Sequence, residues 1–145
     1  SSLHQLIQAM ILDYFTAKNC TVQNDFQVGE KFVDVYIESD KKTAIEVAVN
    51  PSIDLERVAS ALELVDQFIV IAADLMILKS MERNLAPLKS EKIKIFPASF
   101  FLAGLRKGTL DIIPSNILEQ QNNQNRENSA LYNAEQQKNR SNQQD

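Results

Sequence analysis

Asp34 and Glu46 are the residues whose type and spacing carry the clearest chemistry. They fall in two short apolar-alternating runs joined by the polar stretch Ser39-Asp40-Lys41-Lys42. In the first run Val33, Val35 and Ile37 alternate with Phe32, Asp34, Tyr36 and Glu38. In the second, Ile45, Val47 and Val49 alternate with Ala44, Glu46, Ala48 and Asn50. Side chains alternate between the faces of a strand, so these runs read as a β-hairpin with one carboxylate on each arm. Pairing about Asp40 sets Asp34 directly across from Glu46 on one face, with Cβ atoms roughly 4.5–5.5 Å apart. Two carboxylates at that separation repel unless a cation or a shared proton lies between them. The pair reads as a metal-site signature, or else as the polar, water-covered outer face of a hairpin.

The elements that must hold this hairpin follow from periodicity. Leu3, Leu6, Ile7, Met10, Ile11, Tyr14 and Phe15 recur at helical spacing, predicting a helix over 3–18 with Ser2 as N-cap and these residues inward; His4, Gln5, Gln8 and Asp13 lie off the stripe. A loosely alternating strand over 20–28 leads through Gly29-Glu30 into the hairpin. Pro51 ends the second arm, and Ser52 or Asp54 caps a helix to about residue 64. The continuous apolar run over 67–73 is of the kind that a strand buried on both faces requires. Asp74 caps the next helix, which Pro87 ends, and a short strand over 92–96 precedes a short helix over 100–105. A last strand or ordered loop is expected over 109–113. The order α-β-β-β-α-β-α-β-α predicts an α/β domain with a mixed sheet and helices on both faces.

Bulk properties narrow the field. The chain has 145 residues, 44% of them hydrophobic and 23% charged, as expected for one globular domain with a sizeable core. No apolar run approaches the ~20 residues needed to cross a bilayer, and the first residues lack the layout of a signal peptide. The start without Met reads as a cloning scar or as a domain cut from a longer protein. One cysteine and one histidine exclude a Cys/His zinc site, and the lone Cys20 suits a reducing, cytoplasmic setting. Residues 1–114 hold 12 Lys and Arg against 15 Asp and Glu, so no overall basic character draws the chain to nucleic acid. Among three glycines there is no phosphate-cradling loop, dinucleotide fingerprint or nucleophile elbow. Phe96, Phe100 and Phe101 read as core. Fifteen of the 31 residues in 115–145 are Asn or Gln, a composition that cannot bury enough surface to offset its ordering entropy. The expected organisation is a domain over 1–114 and a disordered tail or linker over 115–145.

The element order, with Asp34 and Glu46 on consecutive antiparallel strands, resembles the PD-(D/E)XK nuclease superfamily of restriction endonucleases and Holliday-junction resolvases. The resemblance covers roughly residues 3–96. It implies a restriction-endonuclease-like three-layer fold and metal-dependent hydrolysis of phosphodiester bonds in DNA. It implies Asp34 and Glu46 as acids that bind Mg²⁺ or Mn²⁺, with the Val47 carbonyl as third contact. Ala48 stands where the family carries its lysine. The missing cation would then come from Lys31 or Arg57, with Asn50 as an auxiliary donor and His4 as a base or ligand from the first helix. Without such a replacement, the domain is an inactive adaptor for DNA docking or protein interaction. Partners implied are DNA, an ATPase or helicase domain of a parent protein, and a second copy in a homodimer.

Overall fold

The computed structural model describes residues 2–107; the strand expected at 109–113, the domain boundary at 114 and the tail at 115–145 lie outside them. Helix α1 (Ser2–Ala17) leads into strands β1 (Thr21–Val28), β2 (Lys31–Glu38) and β3 (Lys42–Ala48). Helix α2 (Leu55–Leu62), strand β4 (Gln67–Ala72), helix α3 (Leu75–Leu85), a 3₁₀ turn (Ala86–Leu88), strand β5 (Ile93–Pro97) and helix α4 (Ala98–Lys107) follow. The strands form one sheet in the order β1-β2-β3-β4-β5. β1, β2 and β3 pair antiparallel, whereas β3, β4 and β5 pair parallel. The described residues form an α/β fold with an open five-stranded mixed sheet and four helices.

Local chemistry fixes the connections. The two-residue turn between β1 and β2 needs a left-handed residue, and Gly29 supplies it at φ 63°. Asn19 takes φ 61° just past α1, a conformation that asparagine tolerates. Ser2, expected to cap α1, is already helical. Every residue of β4 is buried, as its unbroken apolar run requires. Asp74 caps α3 by accepting the Ile77 N–H at 2.8 Å. Asp74→Ala is therefore expected to lower stability by ~1 kcal/mol, read as a shifted urea midpoint with unchanged slope; an unmoved midpoint would mean that water replaces the cap without cost.

Two cores sandwich the sheet. On one face, Ile7, Ile11 and Phe15 of α1 and Ala98, Phe101 and Leu105 of α4 pack on Val35, Ile37, Ile45, Val47, Ile69 and Ile71. On the other, Val58 and Ala61 of α2 and Ile77, Met81 and Leu85 of α3 cover Tyr36, Ala44, Ala48, Phe68 and Val70. Three expectations are corrected here. Leu3, Leu6 and Met10 are exposed, because α1 presents the face of Ile7, Gln8, Ile11 and Phe15 to the sheet. Phe100 is exposed, stacked on Phe96 with ring centroids 5.7 Å apart, and only Phe101 of that group is fully buried. Finally, Val33 does not share a face with Val35 and Ile37 but packs with Tyr36 in the α2/α3 core.

The displacement of Val33 has a local cause. The β1–β2 ladder pairs Asn24 with Val35 and Phe26 with Val33 but skips the pair between them, Asp25 with Asp34. Asp25 sits there at φ 50°, a left-handed residue inside a strand. Such a kink breaks the side-chain alternation. It occurs at Asp34, the acid the sequence had singled out.

Candidate active site

The β2–β3 ladder pairs Glu38 with Lys42, Ile37 with Thr43, Tyr36 with Ala44 and Val35 with Ile45. Continued by one step, this register brings Asp34 to Glu46, but the ladder stops short of them. The Asp34 carboxylate instead accepts the Val47 N–H at 2.8 Å through Oδ2. The Asp34 N–H donates in turn to Glu46 Oε2 at 3.4 Å. Each acid thus binds the backbone of the other's strand where the two strands part.

Their remaining partners come from different layers. Asp34 Oδ2 lies 3.0 Å from His4 Nε2 on α1. Glu46 Oε1 lies 2.7 Å from Arg57 Nη1 on α2, with the two side chains 10% and 18% exposed. The expected common face is therefore not what brings the acids together. They meet in the gap between the strands, one held from each side of the sheet.

Electrostatics follow from this burial. The Glu46 carboxyl is pushed up to about 7, first by loss of solvent and then by the Asp34 charge, against the opposing pull of Arg57. Arg57 Nη1 also donates to the Phe32 carbonyl at 3.0 Å. Its Nε is buried with no acceptor among the described residues. The helix N-terminus sets this side chain, because Asp54 caps α2 by accepting the Arg57 N–H at 3.1 Å.

Lys31 is bound elsewhere. Its ammonium pairs with Asp54, which holds that carboxyl below its ordinary value, and approaches Glu56 at 4.0 Å. Lys31 steadies the start of α2 rather than facing the acids. Of the two cations the sequence offered, Arg57 is the one that reaches Glu46.

A cavity of about 180 Å³ opens beside this group, lined by His4, Glu46, Ala48, Asn50, Ser52 and Arg57 among others. Asn50 Oδ1 accepts the Ser52 N–H at 3.1 Å, holding the chain that leaves β3. Ala48, 8% exposed, forms part of the cavity wall. Among the described residues, no set of three or more His, Cys, Asp or Glu side chains stands ready as a metal cage.

Gln8 is the site residue that the sequence reading missed. It is buried, and its amide donates to the Asp34 carbonyl at 3.0 Å and also bonds the Asn24 side chain. A signal existed in the sequence. Positions 4, 8, 11 and 15 are spaced as one helix face, so His4 and Gln8 accompany Ile11 and Phe15 onto the sheet.

Compared with family models, characterised proteins and solved structures, the chain matches none. No helix among the described residues is long and apolar enough to cross a membrane.

Proposed function

We propose that this chain is a nuclease-like domain of the PD-(D/E)XK type that acts on phosphodiester bonds in DNA with a divalent cation. The observation that carries the reading is the convergence of Asp34, Glu46, Arg57 and His4 where β2 and β3 part, beside a cavity. The α-β-β-β-α-β order of the elements resembles that of the restriction-endonuclease-like fold and supports the same reading.

The donors suit Mg²⁺ or Mn²⁺. Such an ion is usually held by one or two carboxylates and waters, completed by substrate phosphate, rather than by an all-protein cage. The Glu46 carboxyl is raised first by burial and then by the neighbouring Asp34 charge, and a bound cation would offset both. Asp34 and Glu46, with the Val47 carbonyl, would hold the ion. Bound there, it would polarise the phosphate and lower the pKa of an attacking water.

The chain's own residues supply the rest. Gln8 and the Val47 N–H fix Asp34, so its carboxylate is set before any ligand arrives. Arg57 brings a permanent positive charge to the site, which Ala48 cannot. A guanidinium matches phosphate oxygens as a planar fork and offsets charge developing on them. Asn50 is an amide donor on the cavity wall.

The test is cation-dependent cleavage by the full chain of linear, nicked and branched DNA in Mg²⁺ or Mn²⁺ against a chelator control. Cleavage with the cation and none with chelator is expected. Ala48→Lys separates the rival reading, favoured by the alanine itself, of an inactive adaptor that kept the fold. A silent parent with activity gained in Ala48→Lys would mark a decayed site. Silence of both would end the hydrolytic reading.

A further inference from the structure

We propose that Arg57 occupies the place of a divalent cation on Glu46, and leaves it for a phosphate oxygen when cation and phosphate enter together. The inference rests on the nuclease-like reading and adds the order in which its site fills. Arg57 Nη1 already makes the close, buried contact with Glu46 Oε1, at 2.7 Å, that a metal ion would otherwise make. A guanidinium and a metal ion drawn to the same buried carboxylate weaken each other's binding, because like charges in a poorly screened setting repel. Cation entry is therefore easier once Arg57 has moved.

Three features make that movement feasible and give it a destination. The Asp54 cap holds the Arg57 backbone while the long side chain turns. The adjoining cavity, about 180 Å³ with Asn50 and Ser52 on its wall, is large enough to hold several waters, hence a phosphate group. Nε, buried without an acceptor among the described residues, lacks a hydrogen bond that a phosphate oxygen would supply. An orphaned buried donor is costly, so the present pairing with Glu46 leaves a deficit that a phosphate corrects. A cation alone meets a resident competitor, whereas a cation with a phosphate gives that competitor somewhere to go.

Mn²⁺ binding followed by electron paramagnetic resonance tests this, on the full chain at mildly alkaline pH where Glu46 is ionised, with thymidine 5′-monophosphate as the phosphate probe. Arg57→Gln removes the competitor and is expected to bind Mn²⁺ roughly tenfold tighter than the parent, the scale of one charge-assisted hydrogen bond. The nucleotide should tighten Mn²⁺ binding by the parent roughly tenfold and by Arg57→Gln hardly at all. Arg57→Lys keeps a cation without the fork and should fall between, and it serves as the readout should Arg57→Gln fail to fold. Equal Mn²⁺ affinity in parent and variants, or equal tightening by the nucleotide in all of them, would overturn the proposal. Mn²⁺ bound by no variant would remove the metal reading and the competition together. Tight binding by Arg57→Gln without DNA cleavage by any form would uphold the competition and end the nuclease reading.

Discussion

On the proposed nuclease reading, Asp34→Asn and Glu46→Gln should each lower DNA cleavage by ~10³-fold, equivalent to ~4 kcal/mol of transition-state stabilisation. Both changes remove a negative charge while keeping shape, so the loss reports on the cation rather than on folding. In Asp34→Asn the new amide oxygen would still accept the Val47 N–H, the contact that fixes Asp34 now. The Asp34→Asn melting temperature should accordingly stay within a few degrees of the parent. Arg57→Ala should cost about 10²-fold, the scale for one charge-stabilising donor. Lys31→Ala should cost far less, since its ammonium is engaged with Asp54 and not with the acids. A single-turnover rate measured with saturating Mg²⁺ decides. An Asp34→Asn protein that folds and cleaves at the parent rate would exclude Asp34 from the chemistry.

Stability should fall by ~3 kcal/mol between mildly acidic and mildly alkaline pH because of Glu46 alone. Its carboxyl titrates near 4.5 when free and is raised to about 7 in the fold, by burial first and by Asp34 second. Below the free value both states hold the proton, and the group contributes nothing to the pH dependence. Between the two values the folded state keeps a proton that the unfolded state has released, so stability declines as pH rises. Above about 7 both states are ionised and the full cost is reached, ~3 kcal/mol for this displacement. The groups facing Glu46 are Asp34 from β2 and Arg57 from α2, and the raised value already contains both effects. Urea unfolding of the parent and of Glu46→Gln at several pH values isolates the term. The parent should lose stability relative to the variant across this window, and parallel curves would mean that Glu46 stays ionised throughout. A divalent cation that binds Glu46 should reduce the decline, because it favours the ionised form.

Much of this protein was decided by the order of its residues alone. The repeat of apolar residues at two-residue spacing in β2 and β3, the unbroken apolar run of β4 and the acidic caps Asp54 and Asp74 are local signals. Each sets backbone geometry within a few residues, which is why the element order and the α/β class followed from them. The hairpin register followed too, since the short polar turn at 39–41 left few ways to align two alternating strands. The proximity of Asp34 and Glu46 is a consequence of that register.

What the tertiary structure decided is how the acids are held. Alternation along β2 put Asp34 with Tyr36 and Val33 with Val35, and both assignments fail at the Asp25 kink, where a left-handed residue in β1 breaks the pairing opposite Asp34. That conformation arises from packing between strands, and no periodicity within β2 encodes it. The same holds for the choice between Lys31 and Arg57. Both are long cations, Lys31 opening β2 and Arg57 lying in α2 beyond β3, and only the angle at which α2 returns over the sheet brings one to Glu46 and leaves the other at the helix cap. The rotation of α1, which turns Gln8 inward and leaves Leu3, Leu6 and Met10 exposed, has a similar origin. An apolar stripe wider than one contact line allows several rotations of a helix, and the bond from Gln8 to the Asp34 carbonyl favours the one adopted. Local sequence specifies elements because backbone propensity and side-chain period act over a few residues; the site required contacts between α1, β2, β3 and α2, whose energies exist only once those elements are packed.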